Sequence, residues 1–110
     1  MVTNINRFDV LLIPLDPTIG SELKKTGPCL VVSPNSMNLS RLNTIIVAPM
    51  TSTIRQGPTR VTVEFQKKQG QVALEQLRVI DRTRILKKVG ALTDTTTQTV
   101  VLKTLQTMFQ

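Results

Sequence analysis

The sequence has no histidine, no tryptophan and no tyrosine, and one cysteine in 110 residues. Without histidine there is no imidazole acid or base, no Ser–His or Cys–His pair and no histidine metal ligand. The lone Cys29 can form neither an intrachain disulfide nor a thiolate zinc site. It lies between Pro28 and the apolar run Leu30-Val31-Val32, and reads as a small core hydrophobe. Three phenylalanines are the only aromatic residues. They are too few for the stacking platforms of an RNA-recognition sheet or a single-strand-binding barrel. No apolar run approaches the length of a membrane span, and the N-terminal residues show no signal-peptide core. The expectation is a cytoplasmic protein with no membrane partner, no metal and no cofactor.

What is present is β-branched and basic. Sixteen Thr, twelve Val and eight Ile make up about a third of the chain. That bias favours strands and an aliphatic core. A length of 110 residues fits one domain, residues 1–110, able to bury a core without staples. Fourteen Lys and Arg against seven Asp and Glu give a formal charge of +7. A small domain with this excess meets a polyanion or an acidic protein, or simply carries a basic solvated surface. The cations concentrate in residues 51–90, from Arg55 to Lys88, without a block of five like charges. They are therefore set into folded segments rather than a disordered tail.

Local patterns place the elements. Phe8 to Leu15 reads as a strand, followed by a loop from Asp16 to Gly27 that carries Lys24 and Lys25. Pro28 to Ser33 is almost wholly apolar, hence a strand buried on both faces. Pro34 to Asn38 reads as a turn or short helix, and Asn43 to Met50 as a third strand. Gln56-Gly57-Pro58 is a turn, and Arg60 to Phe65 alternates as a half-exposed strand. The spacing predicts a hairpin turn at Lys67–Gly70, then one continuous strand from Val72 to Ile80. Asp81–Arg84 breaks it, and a last strand lies within Ile85–Leu92. Val101, Leu105 and Met108 then recur at helical spacing behind a cap at Thr93 or Asp94. Five to seven strands with one C-terminal helix fit a small curled antiparallel barrel.

Four stretches in order carry a family likeness: Asp16-Pro17-x-x-Gly20-Ser21-Glu22, Pro28-Cys29-Leu30-Val31-Val32-Ser33, Val47-Ala48-Pro49-Met50-Thr51-Ser52 and Glu75-Gln76-Leu77-Arg78-Val79-Ile80-Asp81. Over nearly its whole length the chain resembles the MazF/PemK family of toxin–antitoxin endoribonucleases. The resemblance implies an SH3-like antiparallel β-barrel with a C-terminal α-helix, the PemK/MazF/CcdB-like toxin fold. It also implies a homodimer, metal-independent cleavage of single-stranded RNA, and an acidic antitoxin protein as partner. A catalytically silent relative that binds RNA or antitoxin without cutting is the alternative. A same-fold toxin acting on a topoisomerase fits the Gly20-Ser21-Glu22 loop and Thr51-Ser52 less well.

The resemblance assigns catalytic positions to Thr51, Ser52, Glu75 and Gly27, and RNA-binding positions to Ser21, Lys24, Lys25, Gln76 and Arg78. Gly27 stands where the family commonly has an arginine, so this copy is attenuated in nature, altered to be expressible, or compensated by Lys24 or Lys25. Metal-free RNA cleavage needs a base for the ribose 2′-OH, donors for the crowded phosphorane and an acid for the departing 5′-oxygen. Glu75 is the base candidate and would need a raised pKa; alternatively it pairs with Arg78 or Lys88 at the surface. Thr51 and Ser52 either donate to phosphate oxygens or satisfy local amides. Arg78 either braces the dimer or groove with Asp81 or touches RNA, and Gln76 either reads a base edge or fills a strand position. Asp16 starts a turn, and Glu22 either shapes that loop or anchors a lysine.

Overall fold

A computed structural model describes residues 4–15, 19, 20, 22 and 25–110. The elements run β1 (Asp9–Pro14), β2 (Thr26–Val31), α1 (Asn35–Asn38), β3 (Thr44–Thr51), β4 (Arg60–Phe65), β5 (Lys68–Ala73), β6 (Arg78–Asp81), β7 (Lys87–Ala91) and α2 (Thr95–Met108). Every strand pair is antiparallel. The sheet order is β4-β5-β3-β2-β1-β7, with β6 also on β3. The result is a mainly-β curled half-barrel with a C-terminal helix. Its two end strands, β4 and β7, are joined by no backbone ladder among the described residues, so the seam between them stays open.

Strand β3 organises the sheet. One edge pairs with β2 through Val47, Ala48 and Pro49. The other edge is divided: Thr44–Val47 pair with β6, while Met50 and Thr51 pair with β5. The chain therefore has to leave β5 before it can reach β6. It does so in a 3-10 turn at Leu74–Gln76 whose Leu74 side chain is fully buried. This breaks the single Val72–Ile80 strand that residue pattern alone predicts. The hairpin turn also falls earlier than predicted, at Gln66-Lys67, with β5 beginning at Lys68. Both turn residues take the left-handed region, with φ of 53° and 64°. A hairpin of this kind ordinarily advertises itself with Asn-Gly. Here two larger side chains hold it, at about 1–2 kcal/mol each.

Alternation along the central strands fills two apolar layers. Leu11, Ile13, Cys29, Val31 and Ile45 face one layer. Val10, Leu30, Val32, Ala48 and Val72 face the other. Burial on both faces at Cys29, Leu30 and Val31 explains the apolar run there, but β2 begins and ends two residues earlier than the run from Pro28 to Ser33 predicts, opening on exposed Thr26. Helix α2 covers the second layer with buried Val101 and the half-buried Leu105 and Met108. Asp94, rather than Thr93, caps it: the carboxylate accepts from the Thr96 amide at 3.3 Å and the Thr97 hydroxyl at 2.7 Å. Thr99, Thr104 and Thr107 donate back to carbonyls four residues earlier. Such residues are weak helix formers, so packing holds the helix in place.

Cys29 is fully buried. Burial pushes its thiol up to about 12, against the opposing pull of Arg78 and Arg84. The native protein should therefore leave Cys29 unmodified by iodoacetamide at about pH 8, with full labelling only in denaturant. Labelling of the native protein at the rate of the unfolded chain would contradict this packing.

Candidate functional site

The strands bring their cleft-facing residues together at one end of the half-barrel. A cleft of about 720 Å³ is lined by Lys25, Thr26 and Gly27 from the start of β2, by Met50, Thr51 and Ser52 from the end of β3, and by Gln66 to Gln71 on the β4–β5 hairpin apart from Lys67. Lys87 and Val89 of β7 close the far wall. Its described lining holds three lysines (Lys25, Lys68 and Lys87), hydroxyls and amides, and no carboxylate. That set of positive charges and hydrogen-bond donors fits an anion.

Each group is held by the local backbone. The amide of Leu15 donates to the Lys25 carbonyl at 3.1 Å, closing the neck of the loop between β1 and β2. Lys25 sits at that neck with φ of 72°, exposed, at the cleft wall. Arg78 donates to the Leu15 carbonyl at 3.0 Å, and Arg84 to the Pro14 carbonyl at 2.6 Å. Two guanidiniums thus clamp the root of the same loop. The Thr51 hydroxyl oxygen accepts the Thr53 amide at 3.1 Å. Its own proton is left to donate, so the local role and the phosphate role are compatible. Gly70 lets β5 approach β3 here: a Cβ on it would stand 2.7 Å from the Thr51 carbonyl oxygen. A Cβ on Gly27, in contrast, meets nothing within 4 Å.

Lys25, Gly27, Thr51 and Ser52, named from sequence, therefore share one cleft. Lys24 and Ser21, like Asp16, lie outside the described residues. Glu75, Gln76 and Arg78 line a separate depression of about 340 Å³ that has only Leu15 in common with the cleft. Glu75 binds Arg60, with the closest contact 2.7 Å, and accepts from the Thr59 hydroxyl at 3.0 Å. Partial burial pushes its carboxyl up, but the Arg60 bond, its own backbone amide, Thr59 and the Arg60 charge outweigh this and leave it below the ordinary value.

This corrects three expectations. The raised pKa wanted of a base is reversed at Glu75, because β4 delivers Arg60 to it. Its partner is Arg60 rather than Arg78 or Lys88; Lys88 instead meets buried Asp9 at 3.1 Å. Arg78 does not brace Asp81, whose carboxylate accepts from the amide and hydroxyl of Thr83. Glu22 accepts the Ile19 amide at 2.6 Å, shaping its loop. Sequence reasoning missed Lys68, Lys87, Gln66 and Gln69 as cleft residues. Strand alternation puts Lys87 and Lys88 on opposite faces of β7, but only the Lys88–Asp9 pair shows that Lys87 is the one on the cleft side. Among the described residues no three His, Cys, Asp or Glu side chains gather to hold a metal ion, and no helix is long and apolar enough to cross a membrane.

A curled antiparallel half-barrel with a covering C-terminal helix is the fold of a group of small toxins. MazF from Deinococcus radiodurans superposes with a TM-score of 0.77 over 96% of both chains at 22% identity. An endoribonuclease in complex with its cognate antitoxin from Mycobacterial species superposes with a TM-score of 0.78, over 94% of this chain and 93% of that one, at 21% identity. Endoribonuclease EndoA of Bacillus subtilis (strain 168) is 32% identical over 96 residues, 82% of each chain. The family profile of PemK-like, MazF-like toxins of type II toxin–antitoxin systems matches residues 6–109. The chain belongs to that family.

The Glu75 ion pair makes a stability prediction. A carboxyl with a lowered folded pKa contributes above the unfolded value of about 4.3 and loses that contribution as pH falls through the folded value. Glu75→Gln should lower stability at neutral pH by no more than about 1 kcal/mol, since the carboxylate is partly exposed. In denaturant titrations the gap to wild type should close as pH falls below the ordinary carboxyl range. A gap that widens on acidification would contradict the ion-pair account.

Proposed function

We propose that the chain is the toxin of a type II toxin–antitoxin pair, a metal-independent endoribonuclease that cuts single-stranded RNA in the lysine-lined cleft. One observation carries this reading: Lys25, Thr51 and Ser52, from separate segments, meet Lys68 and Lys87 around one cavity with no described carboxylate in its lining. The ribose 2′-oxygen attacks phosphorus and the bond to the 5′-oxygen breaks. The products are a 2′,3′-cyclic phosphate and a 5′-OH, so DNA, lacking the 2′-OH, is not cut. Lys25, Lys68 and Lys87 neutralise the charge that builds on the phosphorane, and the Thr51 and Ser52 hydroxyls donate to its oxygens. A lysine ammonium supplies the proton for the departing 5′-oxygen.

The described lining offers no carboxylate or imidazole to take the 2′-OH proton, and Glu75 is engaged elsewhere. Solvent hydroxide takes it, which attenuates the enzyme. Gly27 adds to the attenuation: the family's arginine at this position would project a guanidinium into the cleft, and the space for it is open. Gln76, in the neighbouring depression, meets a base flanking the cut, while Arg78 acts through the loop it clamps. The chain works in the cytoplasm as a homodimer, and an acidic antitoxin segment competes for the same cleft. The charge of +7 supports that competition, and a structural relative is known in complex with its cognate antitoxin. The second reading, a silent RNA-binding relative, draws on the same missing base and guanidinium.

The deciding experiment incubates long single-stranded RNA with the protein in EDTA, in parallel with Gly27→Arg. Both should release fragments ending in cyclic phosphate, the arginine variant about 10²-fold faster. Cutting by the variant alone would establish the silent reading. No cutting by either would overturn the nuclease assignment.

A further inference from the structure

The cleft lies between the two ends of an open sheet, so its width is not set by any backbone ladder. Strand order ends at β4 and β7, yet Phe65 and Gln66 at the tip of the β4–β5 hairpin and Val89 of β7 line the same cleft. Among the described residues a side-chain hydrogen bond spans the gap. The Gln66 amide Nε2 donates to the Val89 carbonyl oxygen at 3.2 Å. Beside it the Phe65 ring lies where Gly90 has no side chain: a Cβ there would stand 2.9 Å from two ring carbons. Gln66 reaches across from a left-handed backbone conformation, as does Lys67 after it. Glycine or asparagine would relieve that conformation, but neither reaches as far as glutamine. Lys68 follows the turn directly, and Lys87 lies two residues before Val89 on the same strand face. The bond, at the solvent-exposed rim, therefore ties the wall that carries Lys68 to the wall that carries Lys87.

We infer that Gln66 is a positioning residue: by latching the hairpin tip to the Val89 carbonyl it holds Lys68 and Lys87 at a spacing that lets one RNA strand engage both at once. This rests on the nuclease reading above, since it supposes that RNA occupies the cleft. A rigid pair of cations releases more counterions per bound strand than two walls that part. Loss of the latch should thus show in the salt dependence of binding, which a merely structural residue would leave unchanged.

The test measures binding of a fluorescent, 2′-O-methylated single-stranded oligonucleotide, which cannot be cut, across a salt series. The wild type is compared with Gln66→Met, which keeps the length and removes the donor, and with Gln66→Ala, which removes both the donor and the reach. Both variants should bind about five- to tenfold more weakly at about 0.1 M salt, with a slope of log K against log salt shallower by about one. Melting temperatures should stay within a few degrees of wild type. In the unmutated protein, the Gln66 side-chain amide protons should exchange at least about threefold more slowly than those of Gln69, since both side chains are exposed and only Gln66 holds the bond. Wild-type affinity and slope in Gln66→Met, or equal exchange at Gln66 and Gln69, would overturn the latch. If wild type itself fails to bind the oligonucleotide, the nuclease reading falls instead.

Discussion

One strand edge serving two partners is the constraint on which the structure depends. Thr44–Val47 of β3 give their edge to β6, and Met50 and Thr51 give the continuation of that edge to β5. The two partners lie end to end along that edge, and the change of partner falls at Ala48-Pro49. Proline has no amide proton for a ladder, and here it occupies the point where the outer edge passes from one strand to the other. Just beyond it Thr51 and Ser52 emerge at the cleft, opposite the neck that holds Lys25. The cleft follows from how β3 is shared, rather than from any separate active-site element.

The basic residues divide their work by chemistry. Five arginines act as braces: Arg7, Arg78, Arg82 and Arg84 donate to backbone carbonyls, and Arg60 holds Glu75. A planar guanidinium with several fixed donors suits that task. The cleft takes its charge from lysines, compact cations on long, flexible stems. Net charge alone announced a polyanion or an acidic partner. It could not say that about half of the cations bind the protein itself.

The fold was legible wherever burial imposed a period. Alternating β4 and the helical spacing of Val101, Leu105 and Met108 stand where pattern places them, and the apolar run Cys29–Val31 lies in β2, whose bounds fall two residues earlier than the run alone suggests. Pattern failed where tertiary partners decide. Nothing local in Val72–Ile80 reveals that β3 has a divided edge, and no Asn-Gly marks the Gln66-Lys67 turn. At the site, likeness to a family brought out Gly27, Thr51 and Ser52, which do share a cleft with Lys25. It misled at Glu75, because the arginine that lowers its pKa lies fifteen residues earlier in sequence, on another strand. Lys68 and Lys87 escaped notice because a lysine on a strand looks like ordinary solvated surface until the opposite wall is known.

The most direct measurement is a map of backbone amide chemical shifts as a non-cleavable single-stranded RNA is titrated into the protein. The account predicts that the largest changes run along the cleft, through Lys25–Gly27, Thr51-Ser52, Gln66–Gln71 and Lys87–Val89. Changes centred on the outer face of α2, with those segments unmoved, would contradict it.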